Sequence, residues 1–431
     1  MTNDAKKKDK DLVAHAEAFM TLFAECAAEQ KQPDKMPGLN FSYGAAGFVE
    51  MTGDLEKALS DFVHRAAKLM GAAAAHEKAI SQIATKHAHV QVTKASPPKA
   101  AASALIDEVF KAGGASFVFV APNYLVRLPP EILEVRIGRV RVMQTAAFAA
   151  ERKKKYPDDA AKLVVGGGFS FGLPTAGKMY VTMLPICWVV EVDAAAENVE
   201  EEGKWLIDVA VSLLRLHHDK WQGLFPGPGD QEPHPIKVPT PHDESVKYQG
   251  STVSFGGGKT PGWYEVDEVV SAKTIDTGFI AKAQLVSDPP AKTLAERVSQ
   301  GLGWLTRGRQ SADRAERLLY FFTAIEALLS SDDKTAPVVQ TIARHSAVLL
   351  TNDNAARAAM ASAIRKLYVF RSALVHAGNR SVFWSSANTA QIIAESLFFV
   401  VLSKADLAQP HAKLCEELSA SSYGLPWPAT P

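Results

Sequence analysis

Leu318-Leu319-Tyr320-Phe321-Phe322-Thr323-Ala324-Ile325-Glu326-Ala327-Leu328-Leu329 is an apolar stretch with one acid inside it. It reads as an apolar helix. A carboxylate in such a helix needs a partner, because burying it unpaired is costly. Arg371 and Arg344 are the candidate partners, so Glu326 is expected to be buried, paired and orienting an arginine. Outward from this stretch the sequence from Lys292 onward carries no strand signal. Helices are expected at about 292–306, 312–330, 335–351, 353–376, 385–404 and 409–419. Turn or cap residues separate them: Gly308, Ser330 to Asp333, Asn352-Asp353-Asn354, Gly378-Asn379 and Pro410.

The longest of these helices ends in Ile364-Arg365-Lys366-Leu367-Tyr368-Val369-Phe370-Arg371-Ser372-Ala373-Leu374-Val375-His376. Arg371 is the only arginine of the chain with a histidine five positions later. A guanidinium is a rigid fork that grips phosphate oxygens. An imidazole titrates near neutrality and can move a proton. Together they suit chemistry on a phosphodiester. Five residues turn an ideal helix through about 140°, so Arg371 and His376 do not share a face, whereas Ser372 and His376 do. To act together, the pair needs a long reach by the arginine, a bend, or a second chain. Tyr368, one turn before Arg371, can pack in the core, hydrogen-bond a phosphate or stack on a base.

The order of these segments resembles the Apea-like branch of the HEPN superfamily. That branch joins an A-[LI]-E-A-L-L helix to a later L-Y-x-x-R-S-x-x-V-H segment, here 324–329 and 367–376. The resemblance covers about residues 290–420. It implies a HEPN-like helical bundle and a metal-independent endoribonuclease or RNA-binding protein of a defence or toxin system. Arg371 and His376 would be the catalytic pair, at the interface of a homodimer, with Glu326, Tyr368 and Ser372 in support. Ser372 stands where many active members carry Asn, Asp or His. The alternative is therefore a non-catalytic HEPN-fold module for interaction or nucleotide binding.

Composition sets the frame. A chain of 431 residues with 47% hydrophobic content is expected to form two or three folded domains. Its formal net charge is zero, so a phosphate site must be a local patch. Residues 290–420 hold 15 Lys/Arg against 11 Asp/Glu, which is compatible with RNA. Cys26, Cys187 and Cys415 lack disulfide, redox or metal spacing, which suits a reducing cytoplasm. No signal peptide is apparent, and the apolar run Leu397 to Leu402 is too short to span a bilayer. No cofactor and no metal are expected.

The fold class expected is an α+β N-terminal region followed by an all-α bundle. Residues 1–102 read as a helical extension and linker, with 1–10 disordered, helices at Leu12 to Glu29 and Leu55 to His87, and Pro97-Pro98 as a stop. Residues 103–289 read as an α+β domain. Its strands are Ser116 to Ala121, one strand through Val135 to Val142 bulged at Gly138, and Met179 to Val192 broken at Pro185. A helix spans Ala194 to Leu216, and Thr252 to Phe255 and Ala281 to Val286 are further strands. Residues 290–420 are the bundle and 421–431 a tail. Gly256-Gly257-Gly258-Lys259-Thr260 resembles the end of a P-loop, but Val253 replaces its first glycine, so a hairpin turn fits better. The histidines 217, 218, 234 and 242 match no metal spacing. Lys153-Lys154-Lys155 reads as a solvated turn.

Overall fold

Side-chain caps open eight of the helices in the computed structural model of the chain. It describes residues 3–29, 41–123, 125–157, 161–165, 171–175, 178–217, 245–249, 252–256, 264–311, 313–330 and 337–428. Gly257 to Thr260, Gly166 to Gly168, and the histidines 218, 234 and 242 lie outside them. There are two compact units, residues 1–119 with 191–204, and residues 120–190 with 205–431. The chain is mixed α and β in its N-terminal part and helical in its C-terminal part.

The first unit is built on helices α1 (Asn3–Lys7), α2 (Lys10–Ala28), α3 (Gly53–Met70), α4 (Glu77–Thr93) and α5 (Pro98–Gly113). The hairpin β1 (Phe41–Gly44) and β2 (Gly47–Glu50) joins them, and strand β3 (Ser116–Pro122) follows. Leu12, Phe19, Phe23, Leu55, Phe62 and Leu105 are fully buried between the helices. Three expectations are corrected here. Asn3–Lys7 is a short helix rather than disordered. The helix expected over Leu55 to His87 is two, because Gly71 leaves α3 at φ +91° and His76 opens α4 by accepting from the Ala79 amide. Pro97-Pro98 starts a helix rather than stopping one. Pro98 has no N–H to lose in the first turn and its fixed φ suits a helix start.

In the second unit, strands β4 (Val126–Arg127), β5 (Glu134–Ile137) and β6 (Val140–Gln144) lead into helix α6 (Thr145–Lys155). Strands β7 (Ala161–Val165), β8 (Phe171–Thr175) and β9 (Lys178–Met183) form a sheet in the order β7-β9-β8, and β10 (Ile186–Asp193) pairs antiparallel with β6. The single bulged strand expected through Gly138 is the β5–β6 hairpin, with Ile137 opposite Val140. Gly138 turns it at φ +61°, a conformation open to glycine at no steric cost. Helix α7 (Val199–Leu216) and the hairpin of β11 (Ser245–Gln249) and β12 (Thr252–Gly256) follow, then β13 (Tyr264–Glu265) beside β4. Helices α8 (Glu268–Thr274) and α9 (Thr277–Ser287) come next. The strand expected at Ala281 to Val286 lies in α9, which Asp276 caps by accepting from the Phe279 amide. Six residues, with only Lys282 and Gln284 polar, do not distinguish the two periods.

The six helices expected after Lys292 are all present: α10 (Leu294–Gln310), α11 (Arg314–Leu329), α12 (Val338–Leu350), α13 (Asn354–Ala377), α14 (Trp384–Lys404) and α15 (His411–Ser421). Asp313 caps α11 and Asp353 caps α13 through their carboxylates. Gly301 lets α10 lie close to its neighbours: a Cβ there would stand 2.1 Å from Phe398 Cζ. Among the described residues α14 is the one helix long and apolar enough to cross a membrane. Half of that apolar stretch is packed inside the fold. The part of α7 from Trp205 onward docks on α10, where the buried Ser212 and Thr306 hydroxyls share a 2.6 Å hydrogen bond.

Two histidines are sunk in this bundle. His345 is 1% exposed and its Nε2 lies 3.0 Å from Ser419 Oγ, while His411 Nε2 donates to the Leu328 carbonyl at 2.8 Å. Burial, with Arg344 and His411 nearby, lowers the His345 pKa to about 4. Unfolding therefore takes up a proton between that value and the ordinary histidine range, so the contribution of His345 is intact above pH 6.5 and is lost as pH falls towards 4. The full loss is of order 3 kcal/mol. Thermal melts should show a steeper fall in melting temperature from pH 6.5 to 4 in the parent than in His345→Gln. Equal slopes would contradict this.

Candidate functional site

The candidate site lies where α11 and α13 meet. Arg371 Nη2 donates to Glu326 Oε2 at 2.8 Å, and the two side chains are 20% and 18% exposed. Of the two partners expected for Glu326, the structure pairs it with Arg371. Burial pushes the Glu326 carboxyl above its ordinary range, against the opposing pull of the Arg371 charge. Tyr368 stands beside the pair. Its ring meets Phe322 edge-on at 5.6 Å, and the Arg371 guanidinium carbon lies 5.7 Å from its centre. Tyr368 thus packs on the core and flanks the arginine at once. The Arg371 Nε is buried with no hydrogen-bond partner among the described residues.

His376 lies elsewhere on the same helix. It is exposed in the last turn of α13, and its side chain makes no hydrogen bond to a described residue, not even to the terminal carbonyls. Those carbonyls are taken by the backbone instead. Gly378 adopts φ +62° and its N–H bonds the Leu374 carbonyl, while the Asn379 N–H bonds that of Ala373. Ser372 is half-buried and equally without a side-chain hydrogen bond to a described residue. The structure therefore brings Arg371, Glu326 and Tyr368 together and sends His376 outward. Arg344 is not part of this group.

Behind the site is a polar cluster that sequence reading missed. Arg317 and Arg309, 0% and 2% exposed, are buried among apolar side chains of α10, α11 and α14. Arg317 donates to the Gly308 carbonyl at 3.1 Å and to Gln391 Oε1. The Gln391 amide donates in turn to Glu395, and Arg309 donates to Glu395 Oε1 at 2.8 Å. The signal was present: Gln391 and Glu395 sit four apart where α14 turns apolar, hence on one face. A second group joins α7 to the bundle. Arg307 lies 4.7 Å over the Trp205 ring, Trp304 stacks on Tyr320 at 5.6 Å, and Arg307 Nε donates to Asp208.

Among the described residues no group of three or more His, Cys, Asp or Glu side chains could hold a metal ion. Cys26, Cys187 and Cys415 are free thiols. No family model, no curated protein and no solved structure matches this chain.

The pairing of Glu326 with Arg371 has a direct energetic test. A double-mutant cycle with Glu326→Gln and Arg371→Gln, read by denaturant unfolding, should give a coupling of about 1–3 kcal/mol, as contacting charged pairs do. A coupling indistinguishable from zero would mean that the pair does not hold α13 to α11.

Proposed function

We propose that residues 290–420 form a HEPN-like bundle that cuts RNA without a metal, as a cytoplasmic homodimer of a defence or toxin system. The observation that supports this best is the Glu326–Arg371 ion pair. It holds a phosphate-gripping side chain by one edge of its fork, half-buried, on the helix whose exposed last turn carries His376. The sequence around these residues resembles the Apea-like pattern.

In this reading the RNA 2′-hydroxyl attacks the adjacent phosphorus. The His376 imidazole takes the hydroxyl proton, the bond from phosphorus to the 5′-oxygen breaks, and that oxygen leaves with a proton supplied by water. The products are a 2′,3′-cyclic phosphate and a 5′-hydroxyl. Arg371 steadies the charge that builds on the phosphate oxygens, Glu326 orients Arg371, and Tyr368 flanks the bound strand. Because Arg371 and His376 diverge by about 140° on one helix, the histidine that works with a given Arg371 comes from a second copy. The resemblance implies the same two-fold arrangement.

One observation favours a second reading. The His376 ring has no orienting partner among the described residues, and Ser372 replaces the polar groups common in active members. A module that binds RNA, a nucleotide or another protein without cutting needs neither.

The two readings separate on purified protein incubated with mixed RNA. Cleavage of RNA and not DNA, indifferent to chelators and leaving 2′,3′-cyclic ends, is expected. His376→Ala and Arg371→Ala should each lose roughly 10²-fold or more. Equal cutting of DNA, or full activity in His376→Ala, would remove the catalytic reading.

A further inference from the structure

The chain is electrically neutral as a whole, yet one small piece of the second unit is not. Between Glu134 and Tyr156 there are seven Lys/Arg and two Asp/Glu, a surplus of five. Three of the cations are on the β5–β6 hairpin, at Arg136, Arg139 and Arg141. Four are consecutive, Arg152 to Lys155, and form the last turn of α6. The run read from sequence as a solvated turn is therefore a helix end, held next to the hairpin.

What holds it there also uses up the two acids. Arg141, whose side chain is 10% exposed, bonds Glu151 at 2.9 and 3.2 Å and Glu134 at 3.3 Å. Its hydrogen bonds, with Arg136 and Lys155 nearby, keep the Glu151 carboxyl below the ordinary carboxylate range. Arg141 thus bonds both carboxylates and clamps α6 to the hairpin, while Arg136 shares Glu134 at 3.4 Å. The lysines at the end of α6 are left in excess. Lys153, Lys154 and Lys155 are exposed, and none forms an ion pair with a described residue. Tyr156 is 45% exposed, with Arg152 and Lys155 at 4.9 and 5.4 Å from its ring centre. Asp158 and Asp159 follow in sequence, outside the described residues.

Cations at a helix C-terminus complement its dipole, and one or two suffice for that. Four in a row, beside a cationic hairpin and an exposed aromatic ring, go further. We propose that this face, the last turn of α6 with the β5–β6 hairpin, binds the phosphate backbone of RNA. Repeated phosphates at short spacing match a row of adjacent lysines, and an exposed tyrosine offers a ring on which an unpaired base can stack. The face is an electrostatic dock with no sequence preference of its own. It rests on the RNA reading given above but carries no part of the cleavage chemistry, so the two can fail separately.

The test uses the full chain and a fluorescein-labelled single-stranded 2′-O-methyl RNA, which lacks the attacking hydroxyl and reports binding alone. Fluorescence anisotropy is read between about 50 and 200 mM salt. The triple variant Lys153→Gln, Lys154→Gln, Lys155→Gln should bind at least about tenfold more weakly, with a salt slope smaller by about 2, the loss of three phosphate contacts to a single strand. An unchanged melting temperature establishes that the variant is folded. Arg136→Gln, on the other element of the face, should weaken binding in the same sense. Parental affinity and slope in the triple variant would overturn the proposal even if the protein cuts RNA. Binding that depends on the lysines in a protein that does not cut RNA would uphold it and remove the catalytic reading. A parent that binds vesicles containing phosphatidylserine but no RNA would overturn it in favour of a membrane surface.

Discussion

Two arginines are buried deep in an apolar bundle, and their polar groups must be met there. The Nη groups of Arg317 and Arg309 find Gln391, Glu395 and backbone carbonyls of α10, only the Arg317 Nε standing without a hydrogen-bond partner among the described residues, and an arrangement that took these partners away would cost several kcal/mol. The cluster therefore settles how α11 is rotated about its own axis. Nine residues, two and a half turns, separate Arg317 from Glu326, which places them on opposite sides of the helix. With Arg317 turned towards α10 and α14, Glu326 must face α13, where it meets Arg371. The position of the candidate phosphate-gripping arginine thus follows from a polar cluster on the far side of a neighbouring helix.

Much of the C-terminal fold could be read directly. Its six helices were visible because periodic apolar residues, aspartate caps and glycine or proline stops agree with one another there. The errors came where one local signal supports two structures. Pro97-Pro98 both ends a helix and begins one, and only packing of Ala101, Leu105 and Val109 on the first unit's core decides. Gly138 with alternation on either side fits a bulged strand and a two-residue hairpin alike. Residues 281–286 are too few for their period to tell helix from strand. The hairpin over 41–50 went unread although Phe41, Tyr43, Phe48 and Val49 about Gly44 and Gly47 carry its signal, because its strands are only four residues long.

The site was legible in part. An acid in an apolar helix had to find a cation, and two were on offer. The choice between Arg344 and Arg371 depends on how α12 and α13 cross α11, which no local pattern encodes. The divergence of Arg371 and His376 was readable, since helix geometry alone sets it. That His376 would be exposed without a partner was not, because it depends on Gly378 ending the helix so that backbone amides, not the imidazole, take the last carbonyls. The buried arginine cluster went unread for another reason. Arginines near the ends of helices look like surface residues until tertiary packing covers them.

The central claim is that Arg371 of one chain works with His376 of another. It is tested most directly by a mixed dimer of an Arg371→Ala chain and a His376→Ala chain, carrying different tags, purified together and assayed on RNA beside both parent variants. If each site takes its arginine from one chain and its histidine from the other, the mixed dimer keeps one intact site. It then shows about half the activity of the unaltered dimer while each variant alone shows almost none. A mixed dimer as inactive as its parents would contradict the claim.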